Sequence, residues 1–142
     1  MSFQNVRMFG YLLQTASNDF FNRVHKSLQP FHITPIQLGI LQRLWQEDGI
    51  TQRELARFLL KDQTNLGKMI DKLEEVGYIV REKHPTDRRA HLIYLTEQGR
   101  KIEKELATIL TELNHNLLNG LTDDELAIFH KALETIISNS HK

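Results

Sequence analysis

The sequence predicts a mainly α fold with one small β-hairpin, and three observations predict it. Apolar residues recur at spacings of three and four over most of the 142 residues, the mark of amphipathic helices. Between residues 78 and 95 that period shortens to two, among β-branched and aromatic residues, as a pair of strands requires. Helix-opening signatures and Gly or Pro stops punctuate the chain at short intervals, so the elements follow one another without a long linker.

The first stripe is Val6, Phe9, Leu13, Phe20, Val24 and Leu28, a long amphipathic helix that Pro30 ends. Thr34-Pro35-Ile36-Gln37 is a capping box with proline at the first helical position, and the helix it opens runs through Trp45. Asp48-Gly49 is a turn. Thr51-Gln52-Arg53-Glu54 is a second capping box, and it starts a short helix with Leu55, Phe58 and Leu59 inward. A break at Lys61 precedes Asp62, an N-cap for a helix that buries Leu66, Met69, Ile70 and Leu73 and stops at Gly77. Residues Tyr78–Glu82 and His91–Leu95 form the hairpin around the polar turn 84–90. The helical period then returns at Ile102, Leu106, Ile109, Leu113 and Leu117. After Asn119-Gly120, the capping box Thr122-Asp123-Asp124-Glu125 opens a last helix carrying Leu126, Phe129, Leu133 and Ile136. The chain reads as one domain, with long outer helices at 1–32 and 97–142 around a compact block at 33–96.

Composition excludes several functions. With no cysteine, disulfides, thiolate metal sites, cysteine nucleophiles and thiol redox sensing are all ruled out. No apolar run approaches the ~18 residues of a membrane span, and the first residues lack the pattern of a secretory leader, so a cytoplasmic protein is expected. The formal net charge is zero, yet residues 51–91 hold nine Lys and Arg against seven acids, while 97–142 hold five against eight. A mildly basic middle is a weak pointer to a polyanionic partner. The seven glycines form neither G-x-G-x-x-G nor a P-loop, and no G-x-S-x-G occurs, so the sequence offers nothing for catalysis and no cofactor.

Two short helices joined by a tight turn and followed by a hairpin is the order of a winged helix-turn-helix. A major groove about 12 Å wide admits one helix, braced by the helix before it, and the hairpin reaches sideways to a minor groove. On this reading the helix from Asp62 turns Gln63, Thr64, Asn65, Lys68 and Lys72 to the groove. Gln and Asn suit adenine, Thr a thymine methyl, and Lys guanine or phosphate. Thr51 and Gln52 lie at a helix N-terminus, a natural phosphate site. Arg88 and Arg89 stand at the hairpin tip, where arginine fits a narrow minor groove, and Asp87 beside them can brace the loop.

The stretch Asp87-Arg88-Arg89-Ala90-His91-Leu92-Ile93-Tyr94-Leu95-Thr96 fits D-x-R-x5-L-T and resembles the wing signature of the MarR family (multiple-antibiotic-resistance-type regulators). Ile33-Thr34-Pro35-Ile36-Gln37, Thr51-Gln52-Arg53-Glu54-Leu55-Ala56 and Leu73-Glu74-Glu75-Val76-Gly77-Tyr78-Ile79 are similar to the same family in the same order. The resemblance implies a homodimeric repressor of transcription that binds a pseudo-palindromic duplex, with the outer helices interleaved between two chains. It further implies that Arg89 is the minor-groove arginine, Asp87 its brace, Arg88 a phosphate or second groove contact, and 62–76 the recognition helix.

Many members of that family are released from DNA by a small aromatic or phenolic effector bound between the dimer helices and the DNA-binding lobe. Phe9, Leu13, His32 and Trp45, with Phe31 and Leu41, are the residues here that can line such a cleft, or else plain core. The seven histidines are scattered, without an i, i+4 pair, so no metal site is expected. His115 and His130 can face each other across the final turn. Two other readings stay open: a winged-helix protein-interaction module without DNA binding, favoured by the balanced charge, and a metal-responsive regulator.

Overall fold

The computed structural model describes residues 2–59 and 63–142, without the side chains of 63 and 64. The expected N-cap at Asp62 and the break at Lys61 lie outside the described residues. Six helices are present among those described: α1 (Phe3–Leu28), α2 (Pro35–Gln46), α3 (Gln52–Leu59), α4 (Gln63–Val76), α5 (Glu97–Leu117) and α6 (Asp123–Ser140). A 3-10 turn at Gln29–Phe31 carries Pro30 at the end of α1.

The capping boxes act as their sequences require. Thr34 accepts from the Gln37 N–H at 3.3 Å while Gln37 Oε1 accepts from the Thr34 N–H at 2.8 Å. The same reciprocal pair joins Thr122 and Glu125, and at α3 the Thr51 hydroxyl accepts from the Glu54 N–H at 3.1 Å. At the other end of α4, Gly77 adopts φ 100°. The Tyr78 N–H donates to the Leu73 carbonyl and the Gly77 N–H to that of Glu74, the Schellman arrangement that hands the chain directly to a strand.

The sheet has three strands rather than the two expected. β1 (Ile50–Thr51), β2 (Ile79–Lys83) and β3 (His91–Leu95) are ordered β1-β3-β2, all antiparallel. Ile50 pairs with Ile93 and Thr51 with Leu92; Ile79 pairs with Leu95 and Lys83 with His91. A two-residue strand is too short for alternation to show, and Thr51 belongs both to β1 and to the cap of α3. Asp48 fixes this corner: its Oδ1 accepts from the Leu95 N–H at 2.8 Å, and its Oδ2 pairs with Arg100 at 2.9 Å.

One apolar core takes Val24 and Leu28 from α1, Leu38, Ile40, Leu41 and Leu44 from α2, Leu66, Ile70 and Leu73 from α4, Ile79, Ile93 and Leu95 from the sheet, and Ile102 and Leu106 from α5. Thus the last turns of α1 and the first of α5 belong to the central block. The α3 face differs from expectation: Leu55 and Ala56 are buried and Leu59 half-buried, while Phe58 lies exposed beneath the Arg43 guanidinium, 5.5 Å from its ring centre. The small Ala56 lets α3 approach the core one position earlier, which rotates Phe58 outward. α5 starts against the sheet just as closely. A Cβ at Gly99 would collide with the Tyr78 carbonyl oxygen, and the Trp45 indole N–H donates to the Gly99 carbonyl at 2.9 Å. The Tyr78 hydroxyl donates to the Phe31 carbonyl at 2.9 Å, and burial, aided by the Glu105 carboxylate, raises its pKa above the usual tyrosine value.

Outside this core the stripes find no cover. Val6, Phe9 and Phe20 of α1 are exposed, and α6 buries no residue at all.

Candidate nucleic-acid interface

α4 is held by its inner face, where Leu66, Ile70 and Leu73 have no exposed surface. That fixes the direction of the opposite face, and Asn65, Lys68 and Lys72 stand exposed along it. Gln63 and Thr64 are in the first turn of α4; the contacts expected of their side chains fall outside the described residues. Arg81 on β2 locks α4 to the sheet. Its guanidinium pairs with Asp71 at 2.6 Å and Glu74 at 3.2 Å and donates to the Gly67 carbonyl at 3.2 Å, and its own N–H donates to Glu74. Charge-assisted bonds to three points along one helix fix rotation as well as position.

The loop 84–90 between β2 and β3 is organised by its own side chains. Asp87 Oδ1 accepts from the Arg89 N–H at 3.0 Å, and the Asp87 carbonyl accepts from Ala90. The brace expected at Asp87 therefore acts on the arginine's backbone rather than on its guanidinium. Arg88 and Arg89 are exposed, and among the described residues no ion pair engages either of them. His84 is a further organiser that sequence reading did not single out, its Nδ1 lying 3.2 and 3.1 Å from the Thr86 and Asp87 amide nitrogens.

The start of α3 and the wing meet. A cleft of about 620 Å³ is lined by Thr51, Gln52 and Arg53 on one side and His84, Asp87, Arg89, Ala90 and His91 on the other. The pairing of β1 with β3 brings these segments together, which is why Arg53, His84 and His91 could not be placed there from spacing alone. Gln52 also lies over α4, since a Cβ on Gly67 would stand 3.3 Å from its Nε2. Thr51, Gln52, Asp87 and Arg89 are therefore brought to one site that also touches α4. Arginine and histidine around a helix N-terminus suit a phosphate backbone.

The residues named for an effector cleft are dispersed. Trp45 lines a cleft of about 290 Å³ with Leu44, Asp48, Leu95, Arg100 and Glu103. Phe9 is exposed on α1, Leu13 half-exposed on the same helix, and His32 exposed at the junction before α2 with a left-handed φ of 60°. Among the described residues no group of three or more His, Asp or Glu side chains is placed to hold a metal ion. His130 pairs with Glu134 at 2.9 Å. No helix among those described is long and apolar enough to cross a membrane.

Known proteins resemble this chain over most of its length. Residues 33–91 match the MarR family. The chain is 32% identical over 106 residues to YsmB, an uncharacterised HTH-type transcriptional regulator of Bacillus subtilis strain 168, with 75% of this chain and 73% of that protein covered. Two further curated regulators are matched over 40% and 56% of their own lengths. Among solved structures, a MarR transcriptional regulator from Methanosarcina mazei Go1 superposes with a TM-score of 0.83 at 28% identity, over 94% of this chain and 96% of that one. A mutant MarR from E. coli complexed with operator DNA gives 0.85 at 27% identity, over 96% and 98%. The motifs, the winged helix-turn-helix and these likenesses agree: the chain belongs to the MarR family and is a helix-turn-helix transcriptional regulator rather than an enzyme.

Proposed function

We propose that the protein is a homodimeric, sequence-specific reader of double-stranded DNA that represses transcription from a pseudo-palindromic operator and is released by a small effector. The observation that carries this reading is the cleft uniting the start of α3 with a wing whose two arginines have no acidic partner among the described residues. In this assignment Gln63, Thr64 and Asn65 read base edges in the major groove, and Lys68 and Lys72 contact guanine or phosphate. Thr51 and Gln52 anchor phosphate, Arg89 enters the minor groove, and Arg88 takes a phosphate or a second groove contact. That a MarR of similar fold has been seen complexed with operator DNA supports the same docking.

Residues 1–32 and 97–142 supply the dimer helices, with the end of α1 and the start of α5 packed on the DNA-binding lobe 33–96. Phe3, Val6, Phe9, Tyr11 and Leu12 of α1 and Ile128, Phe129 and Ile137 of α6 are large apolar side chains left exposed on the two outer helices, as at a surface that a partner covers. A second chain covers it. The effector, a small aromatic or phenolic molecule, acts where α2 and α5 meet, beside Trp45, and alters the spacing of the two α4 helices away from the ~34 Å between successive major grooves. The protein works in the cytoplasm, with its DNA.

Selection of bound duplexes from a random DNA pool tests the reading. Enrichment of an inverted repeat with half-sites about one helical turn apart is expected. A pool with no enrichment above the non-specific background would overturn it and favour a winged-helix module that binds another protein.

A further inference from the structure

We infer that His84 is a positioning residue for DNA binding: in its neutral form it holds the wing tip, so that protonation of its imidazole loosens the wing and weakens operator binding. The inference rests on the DNA-binding reading above and deepens it.

Two backbone amides fix the protonation of the His84 ring. The amide nitrogens of Thr86 and Asp87 lie 3.2 and 3.1 Å from His84 Nδ1. A backbone N–H can only donate, so Nδ1 must present its lone pair, and the ring proton of the neutral imidazole sits on Nε2. The Thr86 hydroxyl, at 3.4 Å, lies near the same nitrogen. His84 thus gathers two consecutive amides at the point where β2 leaves the sheet, while its own N–H donates to the Ala90 carbonyl across the loop. Asp87, turned by this contact, receives the Arg89 N–H. One imidazole therefore lies at the start of a short chain of contacts that ends at the wing arginine.

Protonation breaks that chain at its first link, because an imidazolium has two N–H groups and no acceptor. Nδ1–H would then face two amide N–H groups. The charged groups around the ring give no simple replacement. Arg53 from α3, Arg89 in the loop and Lys83 on β2 are cationic, His91 on β3 is a second imidazole, and among the described residues Asp87 is the one carboxylate lining the cleft. Plain electrostatics makes the opposite forecast: each added positive charge beside a phosphate backbone strengthens DNA binding. The sign of the pH effect therefore separates a positioning role from mere charge.

The test titrates wild-type protein, His84→Ala and His84→Asn against the duplex recovered from pool selection, at constant ionic strength between about pH 5.5 and 8. Asn supplies a side-chain carbonyl that can accept the same amides and cannot be protonated. Wild-type affinity is expected to fall about tenfold on acidification, the size of lost hydrogen bonds of this kind. His84→Ala should bind about tenfold more weakly at pH 8, and His84→Asn close to wild type there, both without that fall. Circular dichroism confirms that each variant is folded. A DNA-free readout accompanies the titration: the imidazole nitrogen shifts of His84 should report the Nε2–H tautomer near pH 8. Wild-type affinity that rises on acidification, a His84→Ala variant that binds like wild type at pH 8, or the opposite tautomer would each overturn the inference. Failure of the wild type to bind any duplex would instead overturn the DNA-binding reading itself.

Discussion

Arg89 is exposed at the wing tip without an acidic partner for its guanidinium among the described residues, its backbone pinned by Asp87 at 3.0 Å. An exposed guanidinium that no ion pair engages among the described residues can act on a partner, and shortening its side chain keeps the backbone bond to Asp87. Arg89→Ala should therefore weaken binding to the selected duplex by about tenfold or more, with an unchanged melting temperature. Equal affinity in a direct titration would remove the wing from the interface. Tyr78 is the contrary case, a group that serves the fold. Its hydroxyl bonds to the Phe31 carbonyl, and burial raises its pKa. The fold favours the neutral phenol, so this stabilisation is present below about pH 10 and lost as pH rises through the raised folded-state value. Tyr78→Phe should cost about 1 kcal/mol near neutrality and flatten the alkaline limb of the stability curve. Glu125 shows the opposite sign. Bonds from Thr122 lower its pKa, so its contribution is fully present above the ordinary glutamate value and is lost as pH falls through the lowered folded-state value. Glu125→Gln, which keeps the capping box, should lessen the acid dependence of melting.

At the level of elements, α4 joins a rigid inner face to a polar outer one, and the two can be separated experimentally. Lys72→Ala should lower affinity evenly across sequences and reduce the salt slope by about one unit per chain, whereas changes at Gln63 or Asn65 should alter the base preference. A Lys72 variant with changed base preference would contradict that division. Arg81→Ala removes the clamp onto Asp71, Glu74 and Gly67. It should cost about 1–3 kcal/mol in thermal melts and weaken DNA binding further, because α4 loses its fixed rotation. The elements that sequence reading placed correctly carry local signals: Thr34 and Thr122 cap with their own side chains, and Gly77 stops α4 in a left-handed turn. What it missed depends on partners distant in the chain. β1 is two residues that exist only by pairing with Ile93 and Leu92, and Phe58 faces outward because Ala56 fits the core in its place. The same cause hid part of the interface. Arg89 and Asp87 announce themselves in a motif, but Arg53 and His91 join them only through the β1–β3 pairing.

Across the whole molecule, the core occupies the middle of the chain, and the outer stripes on α1 and α6 lie bare, with Ile128 70% exposed. Apolar stripes at helical spacing that a single chain leaves uncovered call for a second copy. Sedimentation at micromolar concentration should show twice the chain mass, and Ile128→Glu should shift the protein toward monomer while sparing the central block. Monomeric wild-type protein would remove the symmetric docking proposed here. A hydroxyl-radical footprint on the selected duplex, with wild type and Arg89→Ala side by side, shows whether two wings grip one operator. A symmetric dimer should give a two-fold symmetric footprint, with flanking minor-groove protection that is lost in Arg89→Ala while the central protection remains at saturating protein. Protection confined to one half-site, or flanks that the variant leaves unchanged, would contradict it.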